Sequence, residues 1–306
     1  MKKFITKFSI YAFLIFLLAE IISRFFYLTP EIPNRKIWKN GIQKYLPHQT
    51  GYWKGGKHKW RINNDGWPGQ EINLNGSKIL IIGDSFIENF MNPDECRQSY
   101  FLNKMVRNYN FIEFGRSGIS FIEALEVNKA NMKRIPNIHL SLIYISDNDL
   151  TESISLIKRR KDITQVDLQK NKVLPSELKS PLAKKILYKL KFIYYLYSKF
   201  PLNELFSRKK SSTSPLQQES DFSKEFLSLI EFTKKNYNLN QTVFILRPET
   251  SEEVLNIFKE NEMKFVKLNY PNSKSWSFEN DHHWTCYGHK EAAFQVSRYL
   301  KATSTN

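Results

Sequence analysis

Helices packed on both faces of a parallel β-sheet, behind a single transmembrane helix, is the α/β fold class the sequence predicts. Three observations carry that expectation. Short continuous apolar runs of strand length recur along the chain, the pattern of strands buried on both faces of a sheet. Stretches with helical periodicity lie between them, and such alternation implies a parallel sheet covered by helices. The amino end holds an apolar stretch long enough to cross a bilayer.

That stretch runs from Phe4 to Ile22 and carries charge only at Lys7 and Glu20, which can snorkel toward the interfaces. Lys2, Lys3 and Lys7 precede or open it. By the positive-inside rule they hold the amino end in the cytoplasm and send the remainder outward. Ser23 to Leu28 offers no small-residue cleavage pattern, so an uncleaved anchor over residues 1–28 is expected rather than a removed signal peptide. Residues 29–77 concentrate proline, glycine and tryptophan and read as a loop-rich lead-in packing on the core. The core then spans 78–306. Its strands are expected at Lys78–Ile82, Phe111–Phe114, Leu140–Ile145, Thr242–Leu246 and Lys264–Leu268. Its helices are expected at Phe86–Asn108, Phe121–Lys133, Ser223–Lys235 and Ser251–Asn261.

The charge is unevenly spread. The 306 residues carry a formal net charge of +16, and Leu156 to Lys210 holds 15 Lys and Arg against 4 Asp and Glu, a net of +11. Within this basic insert, at about 156–215, Leu182 to Leu196 is amphipathic. One reading lays that helix on an anionic membrane surface. The commoner fate of such a stripe is burial against the protein's own core. Ser211 to Pro215 reads as a linker back into the sheet. With 41% hydrophobic residues, the chain is too apolar for a disordered tail. Two cysteines, Cys96 and Cys286, are too few for a disulfide framework or a four-thiolate zinc site. The compartment permits a bridge between them, and the sequence leaves the pairing open. No nucleic-acid-binding motif accompanies the positive charge, so no nucleic-acid partner is expected.

Chemistry concentrates where strands end. Gly83-Asp84-Ser85-Phe86 follows the first buried strand and opens a helix, placing a hydroxyl at the carboxyl edge of the sheet where ligands bind. An N-cap alone would explain Asp84-Ser85 equally well. However, the second strand runs into Gly115-Arg116-Ser117-Gly118 and the third into Ser146-Asp147-Asn148-Asp149, at the same edge. Gly115 can present a backbone N–H and Asn148 an amide donor, which with the N–H of Ser85 make an oxyanion hole. Near the carboxyl end, Asp281-His282-His283-Trp284 supplies an imidazole base with a carboxylate to orient it.

These four blocks, in this order, resemble the SGNH hydrolases, the GDSL-type esterases, over about residues 78–300. Arg61-Ile62-Asn63-Asn64-Asp65-Gly66 is similar to a segment preceding the core in membrane-anchored members. The resemblance implies a three-layer α/β/α fold with a parallel, flavodoxin-like sheet. It implies Ser85 as nucleophile, His283 as base and Asp281 as its orienting carboxylate, with Ser85, Gly115 and Asn148 binding the oxyanion. No cofactor or metal is implied. The implied activity is extracytoplasmic ester hydrolysis, or transfer of the acyl group, through an acyl-serine intermediate. The implied partners are an ester substrate, an acylated glycan or lipid, and the membrane, with anionic lipid at the basic insert. The alternative is an accessory protein of envelope polysaccharide acylation or deacetylation, or a catalytically silent glycan- or lipid-binding module. Three departures stand out: Ser146 where glycine is common, Glu113 where asparagine is frequent, and a short Asp-x-His spacing. His282 competes with His283 as base, although the spacing from Asp281 and the following Trp284 favour His283. His289 is expected to cap or pack the last helix. A metal site from Asp281, His282, His283 and His289 is disfavoured, because adjacent histidines point apart.

Overall fold

The computed structural model describes residues 1–38, 41–179, 181–200, 222–270, 275–279 and 281–304. The expected linker at Ser211–Pro215 and the end of the basic insert lie outside the described residues. In chain order the helices are α1 (Lys2–Phe25), α2 (Ser85–Glu88), α3 (Gln98–Met105), α4 (Phe121–Arg134), α5 (Asp147–Ser153), α6 (Pro181–Lys189), α7 (Lys191–Lys199), α8 (Ser223–Asn236), α9 (Glu252–Glu260) and α10 (Cys286–Ser304). The central strands are β1 (Lys78–Gly83), β2 (Asn110–Gly115), β3 (Ile138–Ile145), β4 (Thr242–Leu246) and β5 (Phe265–Lys267). The chain forms two compact units, Met1–Asn34 with Thr50–Lys59 and Ser180–Ser220, and Arg35–Gln49 with Trp60–Lys179 and Asp221–Asn306.

The larger unit is built on a five-stranded sheet in the order β5-β4-β3-β1-β2, with every pairing parallel. This is the flavodoxin-like order. Alternation along each strand decides the layers, because successive side chains leave opposite faces. Leu80, Ile82, Phe114, Ile143 and Phe244 pack with Leu125 of α4, Leu229 of α8 and Phe258 of α9. Ile79, Ile81, Leu142, Tyr144 and Ile245 pack on the other face with Leu102 of α3 and Ala292 and Val296 of α10. Both faces of β1, β3 and β4 are therefore buried, which is why these strands read as mainly apolar runs.

One expected helix is broken. The stretch 86–108 is interrupted after a single turn, where Asn89 adopts a left-handed φ of 49°. The buried Arg97 then takes over the carbonyls that a continuing helix would have bonded. It donates to Ile87 at 3.2 Å and Glu88 at 2.9 Å, and to the Glu113 carboxylate at 2.7 Å. Glu113 also accepts the N–H of Ser99 at 2.6 Å, in the first turn of α3, which gives a structural reason for this acid on β2. The lead-in is more ordered than a loop. Asn63 Oδ1 accepts the N–H groups of Asp65 and Trp67, both at 3.0 Å, and the Trp67 side chain is fully buried.

The smaller unit holds α1, which among the described residues is the helix long and apolar enough to cross a membrane. The amphipathic stretch 182–196 is not one helix but two, parted at Leu190. The two charges near the carboxyl end of α1 do not simply snorkel. Glu20 accepts the N–H groups of Lys191 and Phe192 at 3.0 and 2.7 Å, capping α7. Arg24 pairs with Glu20 at 2.6 Å and donates to the Lys189 carbonyl. Phe16 and Phe192 meet edge to face, 6.0 Å apart. The first part of the basic insert belongs to the larger unit and is a short antiparallel hairpin, Gln165–Asp167 with Lys172–Leu174.

Candidate active site

Sheet register brings the site together. Gly83 lies opposite Gly115 across β1 and β2, so the turn carrying Ser85 and the turn carrying Arg116 and Ser117 emerge side by side. The Asp84 carboxylate accepts the Phe86 N–H at 3.0 Å, fixing the entry to α2. Gly115 is required sterically: a Cβ there would sit 2.5 Å from the Ile87 carbonyl carbon and 2.9 Å from the Glu88 Cα. Only a bare Cα lets the backbone of α2 lie against β2.

His283 reaches the same place from the far end of the chain. The strand Asp281–Trp284 pairs antiparallel with Ser277–Phe278, and along it exposure falls from the exposed His282 through the half-buried His283 to the buried Trp284. His283 Nε2 lies 2.8 Å from Ser85 Oγ. Its Nδ1 is bonded to Asp281, which also accepts the His283 main-chain N–H at 3.0 Å. Burial alone would raise the Asp281 carboxyl, but the hydrogen bonds and charge of His283 hold it below the ordinary carboxylate range. The imidazole rests on Phe86, ring centres 5.1 Å apart. The base strand is tied down as well. Asn92 donates to the Trp284 carbonyl at 2.9 Å, and a disulfide joins Cys96 to Cys286.

Asn148 is exposed at the start of α5, beside the loop after β3. Ser146, where glycine was expected to be common, has a local task. Its N–H and hydroxyl bond Asp149 at 2.7 and 2.9 Å and fix the first turn of α5. Burial pushes the Asp149 carboxyl well up, with the charge of Asp84 adding to the rise. His289 packs rather than binds. It is buried against Trp284, near Gln98, and burial drives its imidazole down to about 3. Asp281, His282, His283 and His289 therefore do not converge on a metal, and no such acid, histidine and cysteine group occurs among the described residues.

Sequence reasoning missed the support beneath α2. Glu88 accepts hydrogen bonds from the Tyr45 hydroxyl, from the Ser117 hydroxyl and, at 2.7 Å, from the Ser117 N–H. Deeper still, Arg116 pairs with Glu123, both side chains fully buried. No local pattern marks these contacts, because their partners lie up to 43 residues apart. Arg247 was also passed over, although it directly follows β4 and the strand-end logic that found Ser85 and Asn148 applies to it.

No protein-family profile matches the chain, and no curated protein does. Among solved structures, a lipolytic protein of the G-D-S-L family from Veillonella parvula aligns at 12% identity over 74% of this chain and 99% of that one, TM-score 0.39. A carbohydrate acetylesterase from Sinorhizobium meliloti aligns at 11% identity over 74% and 99%, TM-score 0.35. The aryl esterase of M. smegmatis aligns at 9% identity over 74% and 99%, TM-score 0.35.

Proposed function

We propose that this chain is a membrane-anchored serine esterase of SGNH type, working outside the cytoplasm. The observation that carries the reading is the line from Ser85 Oγ to His283 Nε2, 2.8 Å, and on from His283 Nδ1 to Asp281. A serine hydroxyl is a weak nucleophile until a base takes its proton. His283 accepts that proton as Ser85 attacks the ester carbonyl, and Asp281 stabilises the imidazolium that forms. The oxyanion is met by the N–H groups of Ser85 and Gly115 and by the Asn148 amide, each donor worth about 2.7–4 kcal/mol of barrier. His283 then protonates the leaving alcohol. Water attacking the acyl-Ser85 gives hydrolysis, and a sugar hydroxyl attacking it gives transfer, with the same residues in both. An acylated glycan or lipid is the proposed substrate.

The test is labelling by a fluorophosphonate probe together with turnover of p-nitrophenyl esters. Both are expected in the native protein and absent in Ser85→Ala. His283→Ala should lose about 10²–10⁴-fold, while His282→Ala keeps most activity. Full turnover by Ser85→Ala would end the reading, and an unlabelled native protein would favour a silent binding module.

Membrane attachment is supported by α1, whose 24 residues reach about 36 Å, enough for a hydrocarbon core. The flanking lysines support a cytoplasmic amino end. The Glu20 cap ties α7 to this helix, and Leu182 and Ile186 of α6 and Phe200 just past α7 are exposed. Together with their lysines, this supports α6 and α7 lying along the anionic outer interface. The full chain should then stay in membranes through carbonate washing, and bilayer-embedded quenchers should reach a probe at Leu182 or Phe200. Carbonate release of the full chain would remove the anchor.

A further inference from the structure

The register that sets Ser85 beside Gly115 also delivers a cation to the site. Leu246 lies opposite Ile145, so Arg247 leaves β4 near the start of α5, which carries Asn148, and its N–H donates to the Ile145 carbonyl at 3.4 Å. The guanidinium carbon sits 4.2 Å from the centre of the Phe86 ring, the same ring that supports His283. Cation and base therefore share one aromatic neighbour, and that neighbour is the residue after the nucleophile.

The half-buried guanidinium makes no side-chain hydrogen bond or ion pair among the described residues. It lines a cleft of about 180 Å³ with Ser146, Asp147, Asn148, Glu249 and Thr250. The nearby carboxylates make hydrogen bonds elsewhere, although Asp147 Oδ1 is buried with no partner of its own. Asp147 accepts the Ser251 N–H at 3.0 Å, Glu249 accepts the Tyr270 hydroxyl, and Asp84 accepts the Phe86 N–H. A guanidinium laid on an aromatic face, with its planar fork of donors unspent, is built for a carboxylate or phosphate.

We propose that Arg247 anchors an anionic group of the substrate, so that the ester taken by Ser85 carries a carboxylate or phosphate close to its scissile bond. The proposal rests on the esterase reading of Ser85 and names its substrate class. A purely supporting role would look different. The charge of Arg247 also works against the rise that burial imposes on Asp84 and Asp149, and loss of that effect alone would slow every ester alike.

The experiment compares kcat/KM for p-nitrophenyl hydrogen succinate, charged on the acyl side, and 4-acetoxybenzoate, charged on the alcohol side, with neutral p-nitrophenyl acetate. In Arg247→Met the charged-to-neutral ratio should fall about tenfold or more for one of the two, mostly through KM, as expected for a lost charge-assisted pair. Arg247→Lys should recover part of it. The ester affected reports which side of the bond carries the anion. A ratio within about twofold of the native one for both esters overturns the proposal, since tenfold is the expected loss. A second readout does not need turnover. Succinate, 4-hydroxybenzoate or inorganic phosphate should raise the melting temperature of Ser85→Ala, and Ser85→Ala with Arg247→Met should lose that rise. If the native protein turns over none of the esters and escapes the probe, the esterase reading falls. The anion site is then judged by melting alone: a rise lost with Arg247 keeps it, and a rise that persists or never occurs overturns it.

Discussion

Gly115 shows how much one missing methyl group decides. The position was read as an oxyanion donor, yet the structure gives it a prior steric duty against the backbone of Ile87 and Glu88. Neither atom is the end of a flexible side chain, so Gly115→Ala must shift α2 or β2. A stability loss of about 1–3 kcal/mol is expected from overpacking, and about 100-fold in kcat/KM from displacing Ser85. Urea melts beside ester kinetics check both. His289 gives a pH prediction. Unfolded, its imidazole titrates near 6.5, but burial, with the charges of Arg97 and His283, lowers it to about 3 in the fold. Between those values the unfolded chain binds a proton that the folded chain refuses. This residue therefore costs stability as pH falls from 6.5 toward 3, by about 1.4 kcal/mol per unit. His289→Gln should flatten the slope of unfolding free energy against pH by about that amount over pH 4.5–6, and an unchanged slope would contradict it.

Among the elements, α7 depends on a residue 171 positions away. Glu20, expected only to snorkel toward the interface, serves as the acceptor for two N–H groups at the start of α7. Loss of such a cap costs about 1 kcal/mol. In Glu20→Ala, amide exchange at Lys191 and Phe192 should quicken about fivefold, while the amides of the central sheet keep their rates. Equal rates at all sites would deny the cap its role. α2 is the other element held from outside. It is one turn long, too short to be stable alone, and Glu88, Arg97 and Gly115 keep it in place.

Across the whole larger unit, the Cys96–Cys286 bridge closes a span of 190 residues. It ties the start of α10 to the turn before α3, three residues past His283. Closing so long a loop restricts the unfolded chain, and removing such a bond typically costs about 2–5 kcal/mol. Cys96→Ser with Cys286→Ser, or the reduced protein, should melt lower by that measure and label more slowly at Ser85, because the base strand loses an anchor. A reductant that changes neither melting nor labelling would show the bridge to be dispensable. A structural disulfide also suits a domain held outside the reducing cytoplasm.

The sequence by itself determined the parts whose signal is local. The runs 78–82, 140–145 and 242–246 are mainly apolar on both faces because helices cover both, so they announce buried parallel strands without help from elsewhere. The helix Lys2–Phe25 is legible because its length and apolar composition, enough to cross a bilayer, are local signals. Ser85 was legible because the ends of successive parallel strands share one edge, and Asp281 with His283 because an imidazole and a carboxylate stand two residues apart. What only the tertiary structure decided depends on partners distant in sequence. The break after α2 follows from Arg97 capping its carbonyls, where periodicity alone predicted one long helix. The Glu88 network, the pairing of the two cysteines and the Glu20 cap each join segments that no window reads together. Arg247 became visible through register, because its meaning lies in what stands beside it: the Phe86 ring, the start of α5, and no ion pair of its own among the described residues. Pattern reveals which side chains must be buried, but only packing reveals which charges are left unpaired.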